Sequence, residues 1–531
     1  MTTPHPKFFL IFFIASTLLC ASHSFKADHK FPPDAPTPEY QFRFGHVFTK
    51  GAVLQMAPKR AQIWGFGRPF SEIVLAMNNG KKHFTTVHQN GLWSILLEPQ
   101  AVGGPHIIRA MQFSLTVNTQ PDTIQLENVM FGDVWLCAGG SNMAQELNDT
   151  MNADKIMSSI HAARNSNVRM LQISREFSEH EQDDVKVSRE WAHAGPDDND
   201  SDSLSLLAYL PALCLLYGMK MAEFHPGRPI GMVEAAWGGT PIEAWGSQRV
   251  TEVCHTKKSK GHLNQYSNHV LWNGMIHPLT KMTIRGVIWH QGEANTEYNR
   301  EKYACHLTKL VTDWRNRFSE GSVRVPLEND IAFPFGVVQL GPSLSERHAS
   351  WSELRLGQMG GWLHDKAHQI YLPNSRIPEG FMAAAYDLAD PPELTTQTSF
   401  GVHYRDKATV AERLALASQA LLHNESLPHY GPHIIRIEYD NENWTANLTF
   451  DRPIRVDGNT GFLKQLATGE WVETPILITW ARGVVLALSE GQGLSYGQKT
   501  EPCPYKKCSI YSDDIYRLPA LLFKDYFNVN I

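Results

Sequence analysis

The sequence predicts an α/β fold, a mainly parallel sheet with helices on both faces, set between two β-rich modules. Three observations carry this. Apolar runs at Val134–Ala138, Ile230–Ala236, Arg285–His290, Phe335–Leu340 and Phe381–Asp387 alternate with helical stretches such as Asn299–Phe318 and Ser350–His364, the pattern of a buried parallel sheet. Residues 40–125 alternate short β-rich runs with turn signals, for example Ala61–Gly65, Ile73–Ala76, Leu92–Leu97 and His106–Ala110, which reads as a small all-β unit. Residues 430–531 return to that style, with Ile434–Tyr439, Trp444–Phe450, Ile476–Trp480 and Val484–Leu488.

A chain of 531 residues exceeds one ordinary core, so two or three domains are expected. The boundaries read as 1–24 for a leader, 25–125 for the first β-rich module, 126–428 for the α/β domain and 429–531 for the second β-rich module. In the leader, Lys7 precedes an apolar run from Phe8 to Ala21, and Ala21, Ser22 and Ser24 offer small residues for cleavage. The run is too short for a comfortable membrane span and fits a secretory signal peptide. The expected location is the secretory pathway, secreted or lysosomal, with no stable membrane span after cleavage.

Export makes two other features coherent. Sequons stand at Asn148, Asn199, Asn424, Asn443 and Asn447, candidate glycosylation sites. Seven cysteines become six once Cys20 leaves, an even number suited to disulfides. Cys503 and Cys508 are the best local pair, and Cys137, Cys214, Cys254 and Cys305 are open to pairing in any combination. The net charge of −6 gives no electrostatic case for nucleic acid. Leu204–Ala222 holds Pro211 and Lys220 and reads as a buried core helix. The acidic residues 176–203 read as a solvated surface loop.

The chemistry centres on Gly132–Met143. A buried strand runs into Gly139-Gly140-Ser141, and a helix-compatible segment follows. A serine on such a turn has an exposed hydroxyl, free backbone N–H groups nearby and a favourable helix dipole. Met143 stands where a Gly-x-Ser-x-Gly elbow needs its second glycine. The later strands also end in polar or glycine-rich blocks: Trp237–Trp245, Trp289–Asn295 and Asp387–Asp390. His403 then precedes Asp406, a fitting N-cap for a helix with Val410, Leu414, Ala417 and Leu421 on one face. The positive end of that helix is expected to keep His403 neutral, as a general base requires. No zinc spacing and no His-Glu-x-x-His occur, and no metal or organic cofactor is expected.

These blocks resemble the sialate O-acetylesterase branch of the SGNH (GDSL-like) carbohydrate esterases. That family carries a Gly-Gln-Ser-Asn-Met block, a Trp-Gly-Gly-Thr-Pro-Ile-Glu-Ala-Trp block, a Gln-Gly-Glu-x-Asn block and an Ile-His-Pro-Arg-Asp-Lys-type block. Here they stand, in the same order, as Gly139–Met143, Trp237–Trp245, Gln291–Asn295 and Val402–Lys407. Leu271–Leu279 and Pro502–Cys508 also resemble the family, so the likeness spans roughly residues 40–525. Two positions depart: Gly140 replaces the family's glutamine, and Tyr404 the proline after the histidine.

The resemblance implies an SGNH-hydrolase (flavodoxin-like) sheet and cleavage of O-acetyl esters of sialic acids, at 9-O or 4-O, through an acetyl-serine. It implies Ser141 as nucleophile and His403 as base. The Ser141 N–H, Gly239 (or Gly238) and the Gln291 side chain would hold the oxyanion. Many SGNH enzymes place the triad acid three residues before the histidine, where Phe400 stands here. Asp390 is therefore the first candidate for that role, with Asp387 and Glu293 as alternatives. Asn142, Trp237, Trp289 and Asn295 are candidate sugar contacts, as is Trp245. Two further readings fit the same motifs: an acetylesterase for another acetylated sugar, and a catalytically silent glycan binder.

Overall fold

The computed structural model describes residues 41–78, 80–113, 120–162, 167–195, 207–257, 262–321, 333–343, 348–359, 377–391, 401–423, 427–489 and 493–526. The expected leader, Asn199, Asn424 and Phe400 lie outside them. Among the described residues eight strands come first: β1 (Arg43–Phe44), β2 (Val53–Gln55), β3 (Gln62–Phe66), β4 (Glu72–Met77), β5 (Lys82–Thr86), β6 (Leu92–Leu96), β7 (Gly103–Phe113) and β8 (Asp122–Gly139). β1, β3 and β6 form a small antiparallel sheet, while β4, β5 and β7 pair antiparallel and lead onto β8.

β8 is the backbone of the molecule. Its first half pairs with β7, and its second half enters the central sheet. The boundary read at 125/126 therefore falls inside one continuous strand. The central sheet adds β9 (Val168–Ile173), β10 (Val187–His193), β11 (Ile230–Ala236), β12 (Gly286–His290), β13 (Phe335–Gln339) and β14 (Gly380–Ala384) in the order β10-β9-β11-β8-β12-β13-β14. Every pairing from β9 to β14 is parallel, and only β10 is antiparallel. Along β8, Val134, Leu136 and Ala138 face one apolar cluster while Trp135 and Cys137 face the other. Burial on both faces is why these strands read as unbroken apolar runs.

The helices are α1 (Ser141–Ala144), α2 (Ala153–Ala162), α3 (Ala212–Phe224), α4 (Gln248–Val253), α5 (Tyr303–Gly321), α6 (His348–Gln358) and α7 (Lys407–His423). α3 and α7 pack on the Trp135 face, through Leu213, Leu216, Val410 and Leu414. α5 covers the other, through Leu307, Leu310 and Trp314. Among the described residues no helix is long and apolar enough to cross a membrane.

One expectation is corrected. Residues 187–193, read as part of a solvated loop, form the edge strand β10. Trp191 decides it: its ring is buried, its Nε1 donates to Val47 O (2.8 Å) and its backbone N–H to Thr49 Oγ1 (3.1 Å). The polar residues around it face solvent from an edge, so the strand is masked by its own polar residues and by the acidic stretches on either side.

After α7 the described residues form ten strands: β15 (Ile434–Asp440), β16 (Thr445–Phe450), β17 (Ile454–Val456), β18 (Phe462–Gln465), β19 (Trp471–Glu473), β20 (Ile476–Trp480), β21 (Gly483–Ala487), β22 (Gly493–Tyr496), β23 (Ile510–Ser512) and β24 (Phe523–Tyr526). They make two four-stranded antiparallel sheets and a two-stranded ribbon. Arg355 on α6 ties this module to the central sheet. Fully buried, it donates to the carbonyls of Leu340, Gly341, Lys499 and Thr500. Disulfides join Cys137 to Cys214, Cys254 to Cys305 and Cys503 to Cys508.

Candidate active site

The strand order reverses at β8, whose neighbours β11 and β12 both follow it in the chain. Such a reversal leaves a crevice at the carboxyl ends of the strands. Ala236, Gly139 and His290 lie level there, ending β11, β8 and β12. Gly139 has φ +142°, and a Cβ on it would stand 2.1 Å from the His290 carbonyl oxygen, so only glycine fits. The Gly140 N–H donates to that same carbonyl (2.8 Å). The turn so fixed presents Ser141 as the first residue of α1.

His403 meets it from the opposite side. Its Nε2 lies 2.8 Å from Ser141 Oγ, within hydrogen-bond reach of a base and its nucleophile. Burial holds the imidazole below its usual value, the Lys407 ammonium adds to this, and Asp149 opposes it. Asp406 does cap α7, accepting from the Thr409 N–H (3.0 Å) and hydroxyl (2.7 Å). Burial is thus the largest of the causes that lower the imidazole.

Behind this pair lies a buried polar clamp. Asn142 Nδ2 donates to Glu293 Oε1 (2.5 Å) and to Val402 O (3.0 Å), while its Oδ1 accepts from Lys407 Nζ (2.6 Å). Lys407 also donates to Tyr404 O (2.8 Å) and sits over the Tyr404 ring. The residues on either side of His403 are therefore tied to the residue after Ser141. Burial pushes the Lys407 ammonium down to about 7 and the Glu293 carboxyl up. His290, fully buried beside Glu293 Oε1 (3.7 Å), is also held neutral by desolvation.

The three acids expected to orient His403 each have other partners among the described residues. Asp387 is buried in a two-point ion pair with Arg413 (2.6 and 2.9 Å) and accepts from the Tyr511 hydroxyl (3.2 Å). Asp390 accepts from the Arg405 N–H (2.8 Å), fixing the loop beyond His403. Glu293 holds Asn142. Asp149 is the described carboxylate whose field favours the imidazolium. Sequence reading passed over it as part of the Asn148 sequon, although it lies just past the nucleophile turn.

The expected oxyanion donors divide. The backbone N–H groups of Ser141, Gly238 and Gly239 donate no hydrogen bond among the described residues. Gly238 lies against the nucleophile, since a Cβ there would stand 3.0 Å from Ser141 Cβ, and Gly239 has φ +75°. Gln291 leaves the set: its amide nitrogen donates to Thr240 O (3.0 Å) and Asn295 Oδ1 (2.8 Å), and Tyr303 donates to its Oε1 (3.0 Å). With both protons used inside the loop, it braces the strand ends.

The family model for sialic acid-specific acetylesterase carbohydrate esterases matches residues 131–329, and that for the sialate O-acetylesterase C-terminal domain matches 427–527. The sialate O-acetylesterases of Pongo abelii and Homo sapiens are each 34% identical over 496 residues, covering 88% of this chain and 90% of theirs. The chain belongs to the sialate O-acetylesterase family. The crystal structure of a carbohydrate acetylesterase from Xanthomonas citri superposes with a TM-score of 0.72 at 23% identity, covering 91% of this chain and 99% of that one, and so shares the fold.

Two features stand out in this sialate O-acetylesterase family member. At Gly140, where the family's glutamine is replaced, a Cβ would find no atom nearer than 3.9 Å, so the turn has room for a side chain. Of the expected sugar contacts, Trp237 alone is partly exposed. Asn142, Trp245, Trp289 and Asn295 are buried, and Asn295 spends its groups on Ile242, Gln291, Glu243 and Tyr298. Sequence reading missed the rings beside Trp237: Phe177, with centroids 6.4 Å apart, and Tyr266, next to Gly239. Asn148 and Asn443 are exposed sequon residues, and Asn447 is half-buried on β16.

Proposed function

We propose that this chain hydrolyses O-acetyl esters of sialic acids, at 9-O or 4-O, with Ser141 as nucleophile and His403 as general base. The observation that carries this is the 2.8 Å approach of His403 Nε2 to Ser141 Oγ, at the strand ends bearing the family's blocks. His403 takes the Ser141 proton as Oγ attacks the acetyl carbonyl. The resulting oxyanion is met by the N–H groups of Ser141 and Gly238 or Gly239, each such donor being worth about 3–4 kcal/mol. Collapse returns the proton from His403 to the departing sugar oxygen and leaves acetyl-Ser141. Water, deprotonated by the same imidazole, then releases acetate.

The finer fold reading belongs with this proposal. β11, β8, β12, β13 and β14 follow the order 2-1-3-4-5 in the chain, the flavodoxin-like arrangement expected of an SGNH hydrolase, with β9 and β10 added at one edge. The three disulfides support passage through the secretory pathway. The test is acetate release from 9-O- and 4-O-acetylated sialic acids, acetylated neutral sugars and an aryl acetate. Preference for the sialic acids is expected. Equal or better turnover of neutral sugars would move the substrate to another acetylated glycan, and no turnover at all would favour the silent binder.

A further inference from the structure

The loop after β9 brings Arg175 to the same end of the sheet as Ser141. Arg175 Nε donates to the carbonyl of Ala236 (3.3 Å), the last residue of β11, which is in register with Gly139 on β8. That carbonyl lies on β11, between β9 and β8, so the guanidinium stands between one and two strand spacings, roughly 5–10 Å, from β8, the strand that ends in the nucleophile turn. Arg175 is exposed, and its two terminal nitrogens have no partner among the described residues. The nitrogen already bonded is Nε, so the paired edge that suits a carboxylate is left open.

The loop is fastened rather than loose. Asn273 donates to the carbonyls of Ser178 (3.1 Å) and Glu179 (2.9 Å), the Ser178 N–H donates to Val270 O (3.0 Å), and Trp272 Nε1 to Glu181 (2.9 Å). A Cβ on Gly274 would stand 2.5 Å from Glu176 O, so the two segments touch through backbone. Phe177 follows and faces Trp237, giving an apolar surface beside the charge. Glu234, buried on β11, is a carboxyl that feels Arg175, and desolvation raises it to about 7. It therefore competes weakly for the guanidinium at and below neutral pH.

We infer that Arg175 is a specificity residue, which binds the carboxylate of an acidic acetylated sugar while the ester reaches Ser141. This rests on the sialate reading above and adds to it the group that recognises the acid. In a 9-O-acetylated sialic acid the glycerol arm sets the ester carbonyl apart from the carboxylate by a span of the same order.

The experiment is steady-state kinetics of the wild type, Arg175→Gln and Arg175→Lys on 9-O-acetylated sialic acid, on its carboxyl methyl ester and on an aryl acetate. For the free acid, Arg175→Gln should raise KM about tenfold or more with kcat held, and Arg175→Lys should recover part of the loss. The methyl ester should show no difference between wild type and Arg175→Gln, and the aryl acetate should be cleaved equally by all three. Equal KM values for the free acid in wild type and Arg175→Gln would overturn the inference alone. A wild type that cleaves the aryl acetate but no sialate ester would overturn it together with the reading beneath it, before any variant is compared.

Discussion

Lys407 Nζ donates to Asn142 Oδ1 across 2.6 Å, joining the first turn of α7 to the residue after the nucleophile. Both side chains are buried, so the contact cannot be replaced by water. Through Val402 O and Tyr404 O the same two residues hold the histidine loop from both sides. The Ser141–His403 distance is thus set by a buried polar brace.

Replacing Lys407 by Met tests that brace. Misplacing a base by about 1 Å costs on the order of 10²-fold in rate, so kcat should fall strongly in folded protein. The pH profile adds a sign. Lys407 lowers the His403 value, so its removal lets the imidazole rise toward the usual 6.5. The acid limb of kcat/KM should then move to higher pH. A limb that stays in place would mean that Lys407 acts on packing alone.

The acids separate by phenotype. Asp149→Asn should keep the fold and move the acid limb to lower pH, because Asp149 raises the His403 value. Asp387→Asn should chiefly destabilise, since breaking a buried ion pair such as Asp387–Arg413 costs about 3–5 kcal/mol. Denaturant melts and pH–rate profiles on the same preparations distinguish the two. A normal melt with abolished turnover in Asp387→Asn would reinstate that residue as the orienting acid.

Gly139 and Gly140 should respond oppositely to a side chain. Gly139→Ala forces a Cβ to within 2.1 Å of the His290 carbonyl, and should cost the fold or all activity. Gly140→Gln, which restores the family's residue, enters open space and should leave melting unchanged and activity within a few-fold. Circular dichroism and acetate release read both.

The sequence displays these elements unevenly, for physical reasons. The central strands were legible because burial on both faces leaves unbroken apolar runs. Their carboxyl ends matched within a few residues, while β8 starts at Asp122, well before the expected Val134. β10 was hidden, because an edge strand with one anchoring tryptophan looks like an acidic loop. The glycine turn before Ser141 and the Asp406 cap follow local rules of turns and helix ends, whereas the pairing of Ser141 with His403 is implied only by the resemblance of the blocks. The acid beside His403 and the role of Gln291 are not legible, since a carboxylate or amide at a strand end looks the same in sequence whether it faces substrate or braces a loop. Only the partners in space separate Asn295, with its groups spent internally, from Trp237, with its ring partly exposed.

The disulfides should differ in worth. Cys137–Cys214 links β8 to α3 across 77 residues, and removing it as Cys137→Ala/Cys214→Ala should cost about 2–4 kcal/mol. Cys503–Cys508 spans only 5 residues, so in the chain-entropy account its removal should cost less. Thermal melts of the two double variants give the comparison.

The most direct measurement is acetate release from 9-O-acetylated sialic acid by the purified protein beside its Ser141→Ala variant, both shown to be folded. Release is expected from the wild type and none above background from the variant. Equal release by both would contradict this expectation, because the chemistry would then not pass through Ser141.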